Sequence, residues 1–434
     1  MRLYTDALII TNDSEDRVIE AGCIGVEDES IVFVGHTKDA PRDVEERISL
    51  AHRVVMPGLI VAHTHLYSFL ARGLAPSVAP ENFVGVLEHV WWRLDQALGP
   101  DDVYWSAMGG AVSALLRGTT TLIDHHASPS CIGGSLEKIA IALGQVGIRG
   151  ALSYEITDRH GHEGAMAGME ENLRGMALAA RSPGWLAARM GLHASFTLDD
   201  ATLDAVAGQG CGVHVHVAED RADVTASVER FGETPLQRLS RRGLLSPESI
   251  IVHGVHLTGD EMQTLASSKA FLVHNPRSNM NNGVGAADLA AMASAGIPLA
   301  IGTDGMGPDP GPEVMTALVL VRHEQGDPAA GWDLVRHAYC AGNAELASRT
   351  FGRTLGRLEV GAEADFVVRV YDPPTPLTPA TWWGHFLFGL SESPVDRVVV
   401  GGRELVRGGE AVWLDAEMIW RACREQAGKL WSRW

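Results

Sequence analysis

Two histidines separated by one residue, His63 and His65, have the spacing of a metal-binding pair. They close the apolar run 54–62, which predicts a short buried strand. Alternation along a strand places both imidazoles on one face, about 6–7 Å apart, while Thr64 points the other way. Two such rings can converge on one metal ion, although a hydrogen-bonded core position would explain either ring alone. The remaining ligands must therefore come from elsewhere in the chain.

The segments 212–219 and 301–305 supply candidates for the missing ligands. His214 and His216 share one strand face, and His216 lies nearer the strand end. We therefore expect His216 to be the third ligand and His214 to lie deeper. Asp304 ends an apolar run and suits two tasks, binding the metal and accepting a proton from metal-bound water. Taken alone, Asp304 could equally be an ordinary helix cap.

Glu219 and His253 are candidates for proton transfer and transition-state stabilisation. Glu219 follows His216 by three residues, just beyond the predicted strand, where a carboxylate could carry a proton to a leaving nitrogen. His253 ends the run 250–253 and could orient the water or stabilise negative charge at the attacked carbon. Taken alone, Glu219 could lie in a solvated turn and His253 could occupy a core position. The prediction therefore depends on their joint occurrence at predicted strand ends.

The middle of the chain alternates predicted strands with predicted helices. The strand candidates lie near 58–65, 118–125, 148–156, 187–193, 212–218, 249–254, 270–275 and 297–304. This alternation favours an α/β fold, a parallel (β/α)8 TIM-like barrel, over an open sheet. The candidates end at His65, His125 and His126, Glu155, His193, His216, His253, His274 and Asp304. Active sites of such barrels lie at the carboxyl ends of the strands, so we expect these side chains to share one site.

Both ends of the chain have a sequence pattern that is typical of β-strands. Apolar runs bounded by turn residues occur at 7–11, 23–26, 31–35, 364–370 and 397–402. We predict that residues 1–55 and 355–434 form one small β-sandwich-like domain, and that 56–354 form a metal-dependent catalytic barrel. Two unrelated β-appendages are the alternative.

Charge and cysteine usage exclude several classes of partner. The chain has 35 Lys and Arg against 54 Asp and Glu, a net charge of −19, which argues against nucleic-acid or anionic-membrane surfaces. Its five cysteines are scattered and form no CxxC pair, which is typical of reduced thiols. Neither a signal peptide nor a membrane-spanning apolar run fits the sequence. We therefore expect a cytoplasmic protein without nucleic-acid or membrane partners.

Together these motifs resemble the amidohydrolase superfamily, and most closely its aminohydrolase/chlorohydrolase branch of cytosine, guanine and S-adenosylhomocysteine deaminases. The segment 274–280, His-Asn-Pro-Arg-Ser-Asn-Met, is similar to that branch's seventh-strand signature. The segment 356–365 resembles the one that returns the chain to the terminal β-domain. The segments 81–94, 124–130 and 191–197 are most similar to aminohydrolases of the SsnA type, which are associated with purine catabolism.

The resemblance implies one divalent metal ion, with zinc the expected ion and iron(II) or manganese(II) as alternatives. The implied ligands are His63, His65, His216 and Asp304. Glu219 and His253 take proton-transfer and transition-state roles, and His193 contacts substrate. We predict further substrate contacts at His125, His126 and Trp92. No lysine ends the third or fourth strand candidate, which disfavours the two-metal subtype that uses a carboxylated lysine.

The predicted function is hydrolytic deamination of a small-molecule purine-, pyrimidine- or imidazolone-like heterocycle. Metal-bound hydroxide would attack an amidine-like carbon, and ammonia would leave. Ring-opening hydrolysis of a cyclic amide at the same site is one alternative. A non-catalytic metal-binding subunit is another, disfavoured because a structural metal site needs no proton carriers. The segment 306–309 and the tandem His125 and His126 depart from the deaminase pattern, so the substrate stays open, as does assembly into a homo-oligomer.

Overall fold

The computed structural model describes residues 1–434, which form nineteen strands and sixteen α-helices. The first strands are β1 (Arg2–Ile10), β2 (Val18–Glu27), β3 (Ser30–His36), β4 (Glu46–Ser49) and β5 (Arg53–Pro57). Those of the middle are β6 (Leu59–Thr64), β7 (Thr119–Asp124), β8 (Arg149–Leu152), β9 (Glu155–Ile156), β10 (Leu186–Ala188), β11 (Met190–Ala194), β12 (Val213–Val217), β13 (Ile250–His253), β14 (Phe271–His274) and β15 (Leu299–Ile301). The last are β16 (Phe366–Val370), β17 (Val395–Val400), β18 (Arg403–Arg407) and β19 (Glu410–Ala411).

The helices fall mainly between the strands of the middle region. They are α1 (Phe83–Val86), α2 (Trp92–Ala97), α3 (Pro100–Leu115), α4 (Ser135–Val146), α5 (Gly161–Ala179), α6 (Asp200–Ala207), α7 (Arg221–Phe231), α8 (Pro235–Arg241), α9 (Gly259–Ser268), α10 (Pro276–Asn281), α11 (Leu289–Ser294), α12 (Gly311–Gln325), α13 (Trp332–Arg336), α14 (Asn343–Phe351), α15 (Trp382–Phe388) and α16 (Ala416–Trp431). None is both long and apolar enough to cross a membrane.

The middle strands pair in parallel and form the predicted barrel. One arc has the order β10-β8-β7-β6, and the other has the order β15-β14-β13-β12-β11-β9. A parallel bridge between Thr64 and Asp304 joins the end of β6 to the end of β15. Apart from β10, whose residues are half-buried, these strands are buried along their whole length, which explains their near-continuous apolar runs. The third barrel strand is β8 and β9 in succession, and the fourth is β10 and β11.

Both ends of the chain contribute strands to one sheet, as predicted. Its order is β19-β18-β17-β16-β5-β1-β2-β3, with β4 paired to β1. The N-terminal strand β5 lies antiparallel to the C-terminal strand β16, with Met56 opposite Val367. This pairing excludes two unrelated appendages, while the predicted limits at 55 and 355 stay predictions.

A buried arginine connects the amino-terminal end of the barrel to this sheet. Arg149 begins β8 and is fully buried. Its Nε donates to Asp365 Oδ2 at 2.7 Å, and one terminal nitrogen donates to Glu363 Oε2 at 2.7 Å. Its planar face lies 4.5 Å from the Trp185 ring centre. The guanidinium therefore meets two carboxylates in a bidentate, fully hydrogen-bonded arrangement.

Candidate active site

The predicted metal ligands meet at the carboxyl ends of the barrel strands. His65 Nε2 lies 3.0 Å from Asp304 Oδ1, and His63 Nε2 lies 3.7 Å from the same oxygen. The His216 ring centre lies 5.3 Å from the ring centres of both His63 and His65. Asp304 has a φ of 51°, in the left-handed region, as the chain turns out of the last barrel strand. The sequence-predicted set is thus brought together around one point.

Hydrogen bonds behind the rings fix which nitrogen faces the site. His65 Nδ1 donates to the backbone oxygen of His125, and His216 Nδ1 donates to the backbone oxygen of His193 at 2.8 Å. His63 Nδ1 shares a hydrogen bond of 2.9 Å with His214 Nε2. His214 therefore lies one layer deeper, as expected. Each ligand ring presents its Nε2 to the site, which is the usual way that outer partners orient metal-binding histidines.

These side chains fit a divalent cation. Ligand atoms of His63, His65 and Asp304 all lie within 4.8 Å of one another. His63 Nε2 is buried and has no hydrogen-bond partner, although burying such an atom without one is costly. Three imidazoles and a carboxylate are a donor set typical of zinc and other first-row metal ions.

Beside the ligands, a second group of side chains is arranged for proton transfer. His253 Nε2 lies 3.3 Å from Glu219 Oε2 and 3.8 Å from Asp304 Oδ2. The His253 Nδ1 donates to Asn279 Oδ1 at 2.8 Å, which directs Nε2 toward the two carboxylates. His253 also has a positive φ, 72°, at the end of its strand. The three predicted catalytic residues are therefore in mutual reach.

The two carboxylates of this group differ in their affinity for protons. Burial raises the pKa of Glu219, an effect that His253 partly offsets and the charge of Asp304 reinforces. Burial opposes ionisation of Asp304 as well, but the adjacent imidazoles of His63 and His65 outweigh it and hold the pKa of Asp304 well below its usual range. Neighbouring groups with separated pKa values are suited to act as acid and base, respectively.

A cavity of about 620 Å³, including its opening to solvent, lies directly against these residues. Two of the predicted substrate contacts, Trp92 and His193, line it. The His193 Nδ1 shares a hydrogen bond of 2.9 Å with Thr197 Oγ1, and its ring centre lies 6.2 Å from that of Trp92. Aromatic side chains of Phe83, Trp91 and Phe196 cover the rest of this side.

The other two predicted substrate contacts do not reach the cavity. His125 is fully buried and stacks on His214, with ring centres 4.3 Å apart. His126 is also fully buried and shares a hydrogen bond of 2.8 Å with Ser128 Oγ. Strand β7 ends at Asp124, and the two histidines that follow it are buried beneath the cavity lining, with the His125 ring centre 4.8 Å from that of His216. Neither residue lines the cavity in this structure, and a substrate contact at His125 or His126 stays a prediction.

Several functional candidates were not assigned from the sequence. Glu155 begins β9, the short last segment of the third barrel strand, and lines the cavity, a position that the strand-end pattern had indicated without assigning a role. Asp95 lines it too, held by an ion pair of 2.7 Å with Arg159. Asn282 Nδ2 donates to Glu219 Oε1 at 3.2 Å, and Ser278 donates to Asp304 Oδ2. No sequence pattern indicated Asp95 or Asn282, because both lie on loops or short helices.

Comparison with known proteins identifies the family. Residues 54–405 match the Amidohydrolase family, and the chain belongs to it. A 5-methylthioadenosine/S-adenosylhomocysteine deaminase of Desulforudis audaxviator is 29% identical over 424 residues, covering 94% of this chain and 95% of the relative. A zinc-bound adenosine deaminase from Xanthomonas campestris is 25% identical, with a TM-score of 0.87 over 99% of this chain and 98% of its own. Atrazine chlorohydrolase from Arthrobacter aurescens is 22% identical, with a TM-score of 0.82 over 99% and 100% of the two chains.

These matches confirm the predicted family, the barrel with its terminal β-sheet, and the enzyme class. The protein is a hydrolase acting on C–N bonds, and its His-rich centre is a site for a divalent metal ion. A non-catalytic role is not supported, since the acid and base residues accompany the ligands.

Proposed function

We propose that this enzyme removes an amino group from a purine-like nitrogen heterocycle by metal-dependent hydrolysis. The observation that carries the proposal is the convergence of Asp304, His253 and Glu219 on one cavity beside the metal ligands. Deamination needs a base for the attacking water, an acid for the ring nitrogen and a group that steadies the tetrahedral species. The three side chains supply these functions from one cluster, in which their reactive atoms all lie within 4.8 Å of one another.

His63, His65, His216 and Asp304 would hold the metal ion, and zinc is the ion that this donor set suits best. When bound, such an ion lowers the pKa of a water molecule toward about 7. Iron(II) and manganese(II) are the alternatives for the same ligands. The zinc found in the adenosine deaminase from Xanthomonas campestris supports the same choice here.

The residues of the chain divide the proton transfers between them. Asp304, whose lowered pKa keeps it ionised, accepts the proton of the attacking water and is held in place by the Ser278 hydroxyl. Glu219, whose raised pKa favours the protonated form, donates to the ring nitrogen. His253 steadies the tetrahedral species through Nε2 because Asn279 fixes its ring. Return of a proton to the amino group lets ammonia leave.

The lining of the cavity supports a planar substrate rich in N–H donors. The charged side chains that line it are all acidic apart from the histidines, and no lysine or arginine is among them. A phosphate or carboxylate would therefore meet no lysine or arginine side chain in this lining, whereas amino and ring N–H groups of a substrate could donate to Glu155 and Asp95. Trp92 and Phe196 offer flat apolar surfaces to a heterocycle.

The relatives support deamination in particular. Eight of them, each 27–29% identical to this chain, carry the name 5-methylthioadenosine/S-adenosylhomocysteine deaminase. From these relatives we infer the type of reaction and the class of nucleobase for this enzyme, but not the particular nucleoside. Membership of the SsnA type, a role in purine catabolism and assembly into a homo-oligomer stay predictions. The five unpaired cysteines support the predicted cytoplasmic location.

An ammonia-release screen tests the proposal directly. Purified enzyme loaded with zinc would be incubated with aminopurines, aminopyrimidines, their nucleosides and imidazolones. We expect ammonia from at least one amino-substituted base, loss of that activity after chelation, and recovery when zinc is returned. A new carboxylate without ammonia would instead indicate ring opening. The Asp304→Asn variant serves as the background control.

A further inference from the structure

Asp223 is a buried carboxylate at the edge of the cavity that the proposed mechanism leaves unused. The exposed fraction of this residue is 2%. It is the third residue of helix α7, which begins at Arg221 after the cap residue Asp220. A carboxylate at this position ordinarily reaches back to the amide of the cap residue. Asp223 accepts from two other amides instead, so helix capping does not explain it.

The two amides belong to two different loops of the cavity. Asp223 Oδ2 accepts from the Ala218 amide at 2.8 Å, and Oδ1 accepts from the Phe196 amide at 3.2 Å. Ala218 directly follows strand β12, whereas Phe196 follows the neighbouring strand β11 and lines the cavity. Each carboxylate oxygen therefore has a backbone partner, and the side chain connects the loops that follow two adjacent barrel strands.

The backbone conformation of Ala218 explains why such a connection matters. Its φ is 49°, in the left-handed region, which costs free energy for an alanine. His253 and Asp304 also have positive φ values, so the three strand ends that lead to the proposed catalytic residues share this conformation. The Ala218 oxygen accepts the His256 amide at 3.0 Å, while the Asp223 carboxylate holds the Ala218 amide. Both hydrogen bonds offset the cost of the turn.

Glu219 is the next residue, and its position depends on this turn. Strand β12 ends at Val217, so the Glu219 backbone lies beyond the strand. Its side chain lies 3.3 Å from His253 Nε2 and accepts from Asn282. Rotation of the Ala218 backbone out of the left-handed region would redirect the residue that follows. A misplacement of about 1 Å can lower the rate of an enzyme by about 10²-fold.

We propose that Asp223 is a positioning residue for the proton donor: it holds the Ala218 amide and thereby directs the Glu219 carboxyl toward the ring nitrogen of the substrate. This role rests on the proposed function, in which Glu219 is that donor. The Phe196 amide anchors the same carboxylate from a second loop. Asp223 acts on the reaction only through Glu219, so we expect it to affect kcat rather than substrate binding.

A double-mutant cycle between Asp223→Asn and Glu219→Gln tests this role. The asparagine has one acceptor oxygen in place of two, so one of the two amides loses its partner. We expect kcat for ammonia release to fall by about 10–10²-fold and KM to change by less than about 3-fold. In the Glu219→Gln background the same change should not lower kcat further, because the group that Asp223 positions is already absent.

A second variant and a matched control accompany the cycle. Asp223→Ser leaves room for water at both amides and should give the same kinetic result as Asp223→Asn. The control is Glu171→Gln, because Glu171 is also buried and accepts from two backbone amides, those of Gly134 and Leu136, each at 2.9 Å, but lies outside the cavity. This control should keep the kcat of the wild type. Zinc content and circular dichroism should match the wild type in every variant.

A crystal structure of the Asp223→Asn variant supplies a readout that is independent of activity. We expect φ of Ala218 to leave the left-handed region and the distance between Glu219 Oε2 and His253 Nε2 to exceed 3.3 Å. An unchanged turn would overturn the positioning role.

The kinetic outcomes separate this role from the proposed function. A loss of kcat that recurs in full in the Glu219→Gln background, or an equal loss in Glu171→Gln, would mean that Asp223 supports the structure in general. A rise in KM alone would make Asp223 a substrate contact. Failure of both Asp223 variants to fold would make the carboxylate structural, and each of these results overturns the role. A wild type that releases no ammonia from any base overturns the proposed function itself.

Discussion

Buried charges lie at both ends of the barrel, and the two groups differ in how well they are satisfied. At the amino end, Arg149 is enclosed by Asp365, Glu363 and a backbone carbonyl, each within hydrogen-bond distance. At the carboxyl end, three atoms are just as buried but have no hydrogen-bond partner in the protein: His63 Nε2, His253 Nε2 and Glu155 Oε1. The protein itself fills the hydrogen-bonding capacity of the group at the amino end, but not that of the group at the carboxyl end.

The difference separates a structural role from a functional one. A buried charge is tolerated when its partners neutralise it and fill its hydrogen-bonding capacity, as they do around Arg149. Buried polar groups without a hydrogen-bond partner lower the stability of the folded state unless a bound ligand supplies that partner. The same division is found between the two ends of barrel enzymes generally, where one end stabilises and the other reacts. Four substitutions, described in order of expected effect, test this contrast.

Replacing Asp304 by Asn should cause the largest loss of activity. The variant removes both a metal ligand and the proposed base, so we expect kcat/KM to fall by more than about 10⁴-fold. Urea denaturation should show that the variant still folds, so that the loss of activity reflects the site and not a loss of structure. Ammonia release and urea denaturation measured on one preparation check this. Substantial remaining turnover would contradict the assignment of the base.

Glu219→Gln should lower activity without removing the metal. The amide keeps the shape of the side chain but cannot donate a proton to a ring nitrogen, so we expect kcat to fall by about 10²–10⁴-fold. Zinc content should equal that of the wild type. Glu170→Gln, a change at an exposed helical glutamate, is the control and should leave both quantities unchanged. A parallel loss of zinc would mean that Glu219 binds metal rather than carrying a proton.

Arg149→Met should destabilise the protein without a direct effect on catalysis. The change leaves Asp365 and Glu363 buried without their cation, which costs about 3–5 kcal/mol. The free energy of unfolding from urea denaturation measures that loss, while kcat per folded molecule should stay unchanged. The control is Arg349→Met, which breaks an ion pair with Glu345 on a helix surface and should cost about 0.3–0.5 kcal/mol. Equal losses in the two variants would contradict the contrast between the barrel ends.

Glu313→Gln should change how stability depends on pH. Burial raises the pKa of Glu313 from 4.5 to about 8, an effect that Arg277 only partly offsets. The folded protein therefore keeps a proton that the unfolded chain releases, so this contribution is full below pH 4.5 and is lost as the pH rises through 8. Urea denaturation from pH 4 to 9 should show that the wild type loses stability over this interval and that the variant loses less. Parallel curves would mean that Glu313 is ionised and paired with Arg277.

The positions of the barrel strands could be predicted closely from the sequence. The candidates 212–218 and 249–254 correspond to Val213–Val217 and Ile250–His253, because buried β-branched runs bounded by turns have few other solutions. Helix α8 begins after Thr234, a cap followed by proline, which is a sequence pattern typical of helix starts. The interruptions of the third strand at Tyr154 and of the fourth at Arg189 were not predicted, since no local pattern indicates them.

The sequence by itself determined which residues could bind the metal and transfer protons. Alternation along strands and the rule that barrel chemistry lies at strand ends suffice to place His63, His65, His216 and Asp304 at one site. Only the tertiary structure decided which strand-end residues line the cavity and which are buried away from it. It turned His125 inward beside Glu155 and brought Asp95 to the cavity through Arg159. Such placements depend on distances between segments far apart in the chain, and no local periodicity encodes those distances.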